Sequence, residues 1–175
     1  MSDPYERVRQ DENPLEVLAR KIPGFSGYIE RKNRRNADKL LRETIANRMA
    51  EQWRRLTEIQ RELAQAGELH LLDDLEAATV RLRTFVDQVR TASYGYAGFF
   101  DAVKINEAEL AQLYAYDLAL LDLVDEVARA IDHLEASLET EGLPAALRNL
   151  MSVARRCVET FHRREEIFSG NPSEG

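Results

Sequence analysis

Apolar residues return every third or fourth position over most of the chain. Between Ile29 and Ala66 the series Leu41, Ile45, Met49, Trp53, Leu56, Ile59 and Leu63 places one stripe on one helical face, which predicts a long helix with that face turned to a core. Gly67 follows as a natural helix stop. A second series, Leu75, Ala78, Leu82, Phe85, Val89, Ala92, Tyr96, Phe99 and Val103, alternates steps of three and four without a miss. Its chance occurrence is of order 10⁻³ before choice of frame. The series runs straight through the aromatic and glycine-rich segment "YGYAGFF". A loop has no reason to keep a helical period, and glycine costs only about 1 kcal/mol inside a helix. Residues 69 to 103 are therefore expected to form one helix, with Tyr96 and Phe99 buried and Gly95 closely approached by the next helix opposite Tyr114.

After a tight turn at Lys104 and Ile105, Asn106 and Glu109 supply a capping box for a third long helix. Its stripe is Leu110, Leu113, Asp117, Leu120, Val124, Val127, Ile131, Leu134 and Leu138, apolar except at Asp117. Gly142 and Pro144 mark a stop and restart. The last helix carries Leu147, Leu150, Ala154, Cys157, Phe161, Arg164 and Phe168 in the same register. Upstream, Asn13, Pro14 and Glu16 form the start signal of a short helix to about Lys21, which Pro23 and Gly24 end. Leu18, Ile22, Phe25 and Tyr28 are then expected to fold back as a lid on one bundle end.

The first three long helices come to roughly 34 to 38 residues each, about 50 to 57 Å at 1.5 Å per residue. Equal lengths joined by short turns imply antiparallel neighbours. The expected fold is all-α: a long antiparallel up-down-up-down four-helix bundle, coiled-coil-like, with a short N-terminal helix. One domain over residues 13–169 is expected between flexible ends at 1–12 and 170–175. Sustained heptads also allow a homo-oligomer.

Composition narrows the chemistry. The single cysteine, Cys157, rules out an intrachain disulfide and a cysteine-rich zinc site, and it sits at a core position. No apolar run is long enough to span a bilayer, and the opening "MSDPYERVRQDENP" lacks the apolar region of a signal peptide, so a cytoplasmic protein is expected. No phosphate-cradling glycine loop, dinucleotide fingerprint or nucleophile elbow is present. Asp73 and Asp74 lie in a first helical turn, where the helix dipole accounts for them. Glu159 and His162 have the Glu-x-x-His spacing of di-iron bundles, but they flank the core residue Phe161, and His70 and His133 lack a glutamate three residues earlier. No cofactor, metal or catalytic residue is expected, and the chain reads as a non-enzymatic interaction or scaffolding module with a protein partner, a metal-dependent bundle enzyme built on Glu159 and His162 being the last-ranked alternative.

The net charge of −7 conceals an asymmetry. Residues 20 to 42 carry eight basic residues against Glu30 and Asp38, a balance of 8 − 2 = +6, so the rest stands at −7 − 6 = −13. One reading is a solvated face, with Glu30 and Asp38 serving Arg34 and Arg42 at i,i+4. The alternative is a regulator that binds an anionic surface through a basic pole formed by Arg31, Lys32, Arg34, Arg35, Lys39 and Arg163, with Tyr94 and Phe100 beside it. Lipid headgroups of a peripheral membrane, an acidic protein or nucleic acid would suit such a pole. The run "IPGFSGYIERKNRRNADKLLRE" resembles the start of small uncharacterised bacterial helical proteins, a likeness confined to the N-terminal quarter that implies no activity.

The exceptions in the stripes coincide. Pairing the last two helices about the 140–142 turn gives facing residues a sum near 282, so Asp117 and Arg164 fall in one layer. A lone buried charge is very costly, which predicts an ion pair, with Arg42 and the hydroxyl of Tyr96 or Tyr114 as further members. The alternative is that the bundle ends splay and both groups reach water.

Overall fold

A computed structural model describes residues 13–30, 34–92 and 107–169, without the side chains of residues 34, 35, 107–110 and 167–169. The expected Tyr94, Gly95, Tyr96, Phe99 and Phe100 region, the 104–105 turn and the Asn106 cap lie outside the described residues. The fold is all-α. Among the described residues six helices pack against one another: α1 (Pro14–Lys21), α2 (Phe25–Glu30), α3 (Arg34–Gln65), α4 (Leu69–Thr91), α5 (Glu107–Ala136) and α6 (Leu143–Ser169).

Local chemistry sets several of these limits. Asn13 caps α1 by accepting from the Leu15 N–H at 3.1 Å, ahead of Pro14. Gly67 ends α3 at a φ of 78° that a side chain would oppose. There the Glu68 N–H donates to the Leu63 carbonyl at 3.0 Å and the Gly67 N–H to that of Ala64 at 3.2 Å, the paired bonds of a Schellman stop. Between α5 and α6, Thr140 Oγ1 accepts from the Gly142 N–H at 3.2 Å.

One cluster of buried side chains runs from Leu18 to Phe161. It contains Leu41, Ile45, Met49, Leu56, Ile59 and Leu63 of α3, and Leu75, Ala78, Leu82, Phe85 and Val89 of α4. Trp53 is half-buried at the edge of its stripe. Phe85 meets Phe161 edge to face, their ring centres 6.0 Å apart.

The closely packed pairs of long helices are α3 with α4, α4 with α6, α6 with α5, and α5 with α3. Although α4 and α5 follow one another in the chain, they are not among these pairs. This differs from the neighbour relation expected of them from sequence.

The short N-terminal helices also sit elsewhere than expected. Instead of covering a bundle end, α1 packs on α5 and α2 on α3. Lys21 Nζ meets Asp122 at 2.9 Å, and Arg48 Nη2 donates to the Lys21 carbonyl at 3.4 Å, which places the end of α1 level with the middle of both long helices. Leu18, Ile22 and Phe25 are buried there, and Tyr28 is half-buried. The physical reason lies in α5, whose residues 113–121 are buried without a break. A helix whose residues are buried on every side needs cover on its outer face as well, and α1 supplies part of it.

Candidate functional site

Four charged side chains occupy the interior where α3, α5 and α6 converge. Asp38 and Arg42 stand one turn apart on α3, Asp117 on α5 and Arg164 on α6, with Arg164 and Asp117 each only 1% exposed. Arg164 Nε donates to Asp117 Oδ1 at 2.5 Å, and its Nη2 reaches Asp117 Oδ2 at 3.4 Å. The same Nη2 donates to Asp38 Oδ1 at 2.6 Å. Asp38 Oδ2 in turn accepts from Arg42 Nε at 2.8 Å. One guanidinium thus ties three helices, and Asp38 links it to a second.

Two carboxylates and two guanidiniums make the layer formally neutral. Burial pushes the Asp117 carboxyl above the usual carboxylate range, helped by the neighbouring Asp38 charge, although Arg164 and Arg42 act in the opposite direction. The ionised form is therefore less comfortable here than in water even with its partner in place. Such a layer need not add net stability; its directed bonds couple the positions of α3, α5 and α6.

Arg42 joins the layer through Asp38, which was absent from the expected set. The i,i+4 pair of Asp38 and Arg42 does not lie on the solvated face expected for it: both residues are buried, at 4% and 6% exposure. The signal was present, because stepping back three residues from Leu41 along the α3 stripe lands on Asp38. Tyr114 of the same region packs edge to face on Phe25, ring centres 6.0 Å apart, so α2 shields the turn of α5 preceding Asp117.

The basic pole is only partly visible. Lys39 is exposed and lies 3.8 Å from Glu43, and Arg163 is exposed. Arg31, Lys32, Tyr94 and Phe100 lie outside the described residues, as do the side chains of Arg34 and Arg35. Arg42, counted in the local excess of positive charge, is spent inside the protein.

Glu159 and His162 are both exposed on either side of buried Phe161. Among the described residues no group of three or more His, Cys, Asp or Glu side chains is disposed to hold a metal ion. Cys157 is fully buried, and burial pushes its thiol up to about 12, so the nucleophilic thiolate is suppressed at neutral pH. No described helix is long and apolar enough to cross a membrane. Comparison with known proteins finds no matching family model, no matching curated protein and no matching solved structure.

Proposed function

We propose that the chain is a non-catalytic helical-bundle module that works by binding other macromolecules. The observation that carries this reading is the way the interior uses its chemistry: Arg164, Asp117, Asp38 and Arg42 engage one another beyond the reach of solvent. A group that turns over a substrate must meet it, and Asp117 and Cys157, whose acidities are displaced, are both sealed in. The single buried thiol suits a reducing cytoplasm.

The architecture that serves this reading is an antiparallel, coiled-coil-like four-helix bundle with alternating helix directions. Support comes from cross-helix pairs. Arg90 donates to Asn47 at 3.1 Å and Arg156 to Glu126 at 2.6 Å, as for helices of opposite sense in α3/α4 and α5/α6. Arg55 reaches Asp132 of α5 at 2.5 Å, while Asp38 and Asp117 share Arg164, as for α3 and α5 running in one sense. In this arrangement α4 and α5 stand across a diagonal.

Photo-crosslinking from single sites tests the proposal, with the crosslinking residue placed at Arg163 for one end and at Glu139 for the other, in intact protein added to native lysate. Discrete protein adducts from either end support it. Diffuse labelling indistinguishable from unfolded protein at both ends contradicts it. A second reading, binding of an anionic surface through the basic pole, is favoured by the exposure of Lys39 and Arg163 at the end that holds the charged layer. Its test is binding to vesicles with and without anionic lipid over a salt series, compared with charge reversal of Arg31, Lys32, Arg34 and Arg35 to glutamate. Binding that ignores both salt and reversal rejects this second reading.

A further inference from the structure

At the other end of the long helices, the α3–α4 turn and the α5–α6 turn stand side by side and enclose an open groove of about 1010 Å³. Its floor is apolar: Leu63, Leu71 and Leu143 are buried beneath it and Leu138 is half-buried. Its walls carry Glu62, Glu68, Glu135, Glu139 and Glu141, with His70 the lone basic type among the lining residues. Beside it Leu69 is 65% exposed, a large apolar side chain left in water at the start of α4. We propose that this groove docks a basic, amphipathic segment of a partner protein, its apolar side chains lying over the leucines and its Lys or Arg side chains meeting the carboxylates. The inference rests on the reading of the chain as an interaction module and names the partner chemistry for one face of it.

Charge decides the class of occupant. Glu135 meets Arg55 at 3.2 Å and Glu68 meets His70 at 3.5 Å, but Glu62, Glu139 and Glu141 make no ion pair among the described residues. Three like charges around an apolar floor repel one another and any acidic ligand, and they raise the local concentration of a basic one. Half-buried Leu138 and the exposed Leu69 beside the groove add what a bare cluster of carboxylates lacks, apolar surface whose covering is favourable in proportion to its area. A second copy of this chain is the competing occupant, and salt-sensitive self-association is the outcome that would reveal it.

The test uses the full chain and, as probe, a fluorescein-labelled helical peptide of about five turns with leucines on one face and lysines on the other. Comparison peptides carry the same composition with the face scrambled, or glutamate in place of lysine. Anisotropy is read at low and high salt. The expected result is binding of the Leu/Lys peptide that weakens with salt, is at least about tenfold weaker for the scrambled peptide, and is lost with the Glu peptide. Combined Glu62→Gln, Glu139→Gln and Glu141→Gln should weaken it at least about tenfold, and Leu69→Ser should weaken it less. Glu51→Gln, Glu58→Gln and Glu76→Gln, three exposed acidic positions elsewhere, should leave it unchanged. Helical content of each variant by circular dichroism separates lost binding from lost fold. Equal losses in the two triple variants, or none in the groove variant, overturn the assignment. So does salt-sensitive self-association of the unliganded protein that the groove variant abolishes, since the occupant is then a second copy. Failure of the peptide to bind, with crosslinks still forming from Arg163, rejects the groove and leaves the wider reading standing.

Discussion

Phe161 and Arg164 stand one turn apart on the inner face of α6, and both are buried, yet their layers are built on opposite principles. Phe161 meets Phe85 by shape and apolar area, an interaction that declines gradually as atoms are removed or shifted. Arg164 meets Asp117 and Asp38 through directed, charge-assisted bonds, and a displaced partner leaves a charge without compensation in a medium that penalises it. The aromatic layer supplies stabilisation that tolerates exchange. The charged layer need add little net stabilisation, and it is expected to favour the register of α3, α5 and α6 in which Asp38 and Asp117 both reach Arg164.

The largest expected effect follows from the arginine's inability to shed its proton. Asp117→Ala removes the carboxylate that holds the buried Arg164 guanidinium on α5, and it should cost about 3 to 5 kcal/mol in urea melts. Arg164→Met should cost less, because the stranded Asp117 can take up a proton, and its deficit should shrink as pH is lowered toward 5. Equal, pH-independent losses in the two variants would break the contrast between the layers. In the aromatic layer, Phe161→Leu should cost about 1 to 2 kcal/mol with no pH dependence of its own.

A smaller effect separates the layers through acidity. With its folded value raised, Asp117 binds its proton more tightly in the native protein than in the unfolded chain. Through the interval from the ordinary carboxylate value up to the raised one, the native state holds more protons, so this group's contribution to stability falls as pH rises. Stability measured against pH for the wild type and Asp117→Asn should differ by such a downward slope. An upward slope would show that Arg164 outweighs burial. The last prediction concerns reactivity rather than stability, at the turn of α6 preceding Phe161. Cys157 should react with a disulfide reagent at pH 8 at least ~100-fold more slowly in native protein than in urea, its thiol being both sealed and pushed up to about 12.

The sequence made the inner faces legible because burial is periodic. Asp117 and Arg164 stood out as the polar residues in otherwise apolar stripes, and the Asn13 and Gly67 signals stand at the limits of α1 and α3. Asp38 was obscured for a local reason. At i,i+4 from Arg42 it has the spacing of an ordinary surface pair, and only its phase relative to Leu41 marks it as interior. The placement of α1 was harder to read from a stripe, since a stripe describes one face of α5. The informative feature was the run "LYAYDLALLDLV", residues 113–124, apolar or small except at Asp117 and Asp122, which leaves α5 little polar surface to offer to water. The separation of α4 from α5 is a matter of topology, and stripes on two helices do not state which pairs of them meet.

If Asp117 and Arg164 act as one unit that contributes specificity rather than net stability, their removals are strongly non-additive. A double-mutant cycle measures this: urea melts of wild type, Asp117→Leu, Arg164→Leu and the double variant at pH 7. Removing both members deletes one charge of each sign and leaves Asp38 with Arg42, so the double variant should lie much closer to wild type than the sum of the single losses, with a coupling above about 2 kcal/mol. Losses that add to within about 0.5 kcal/mol would contradict it.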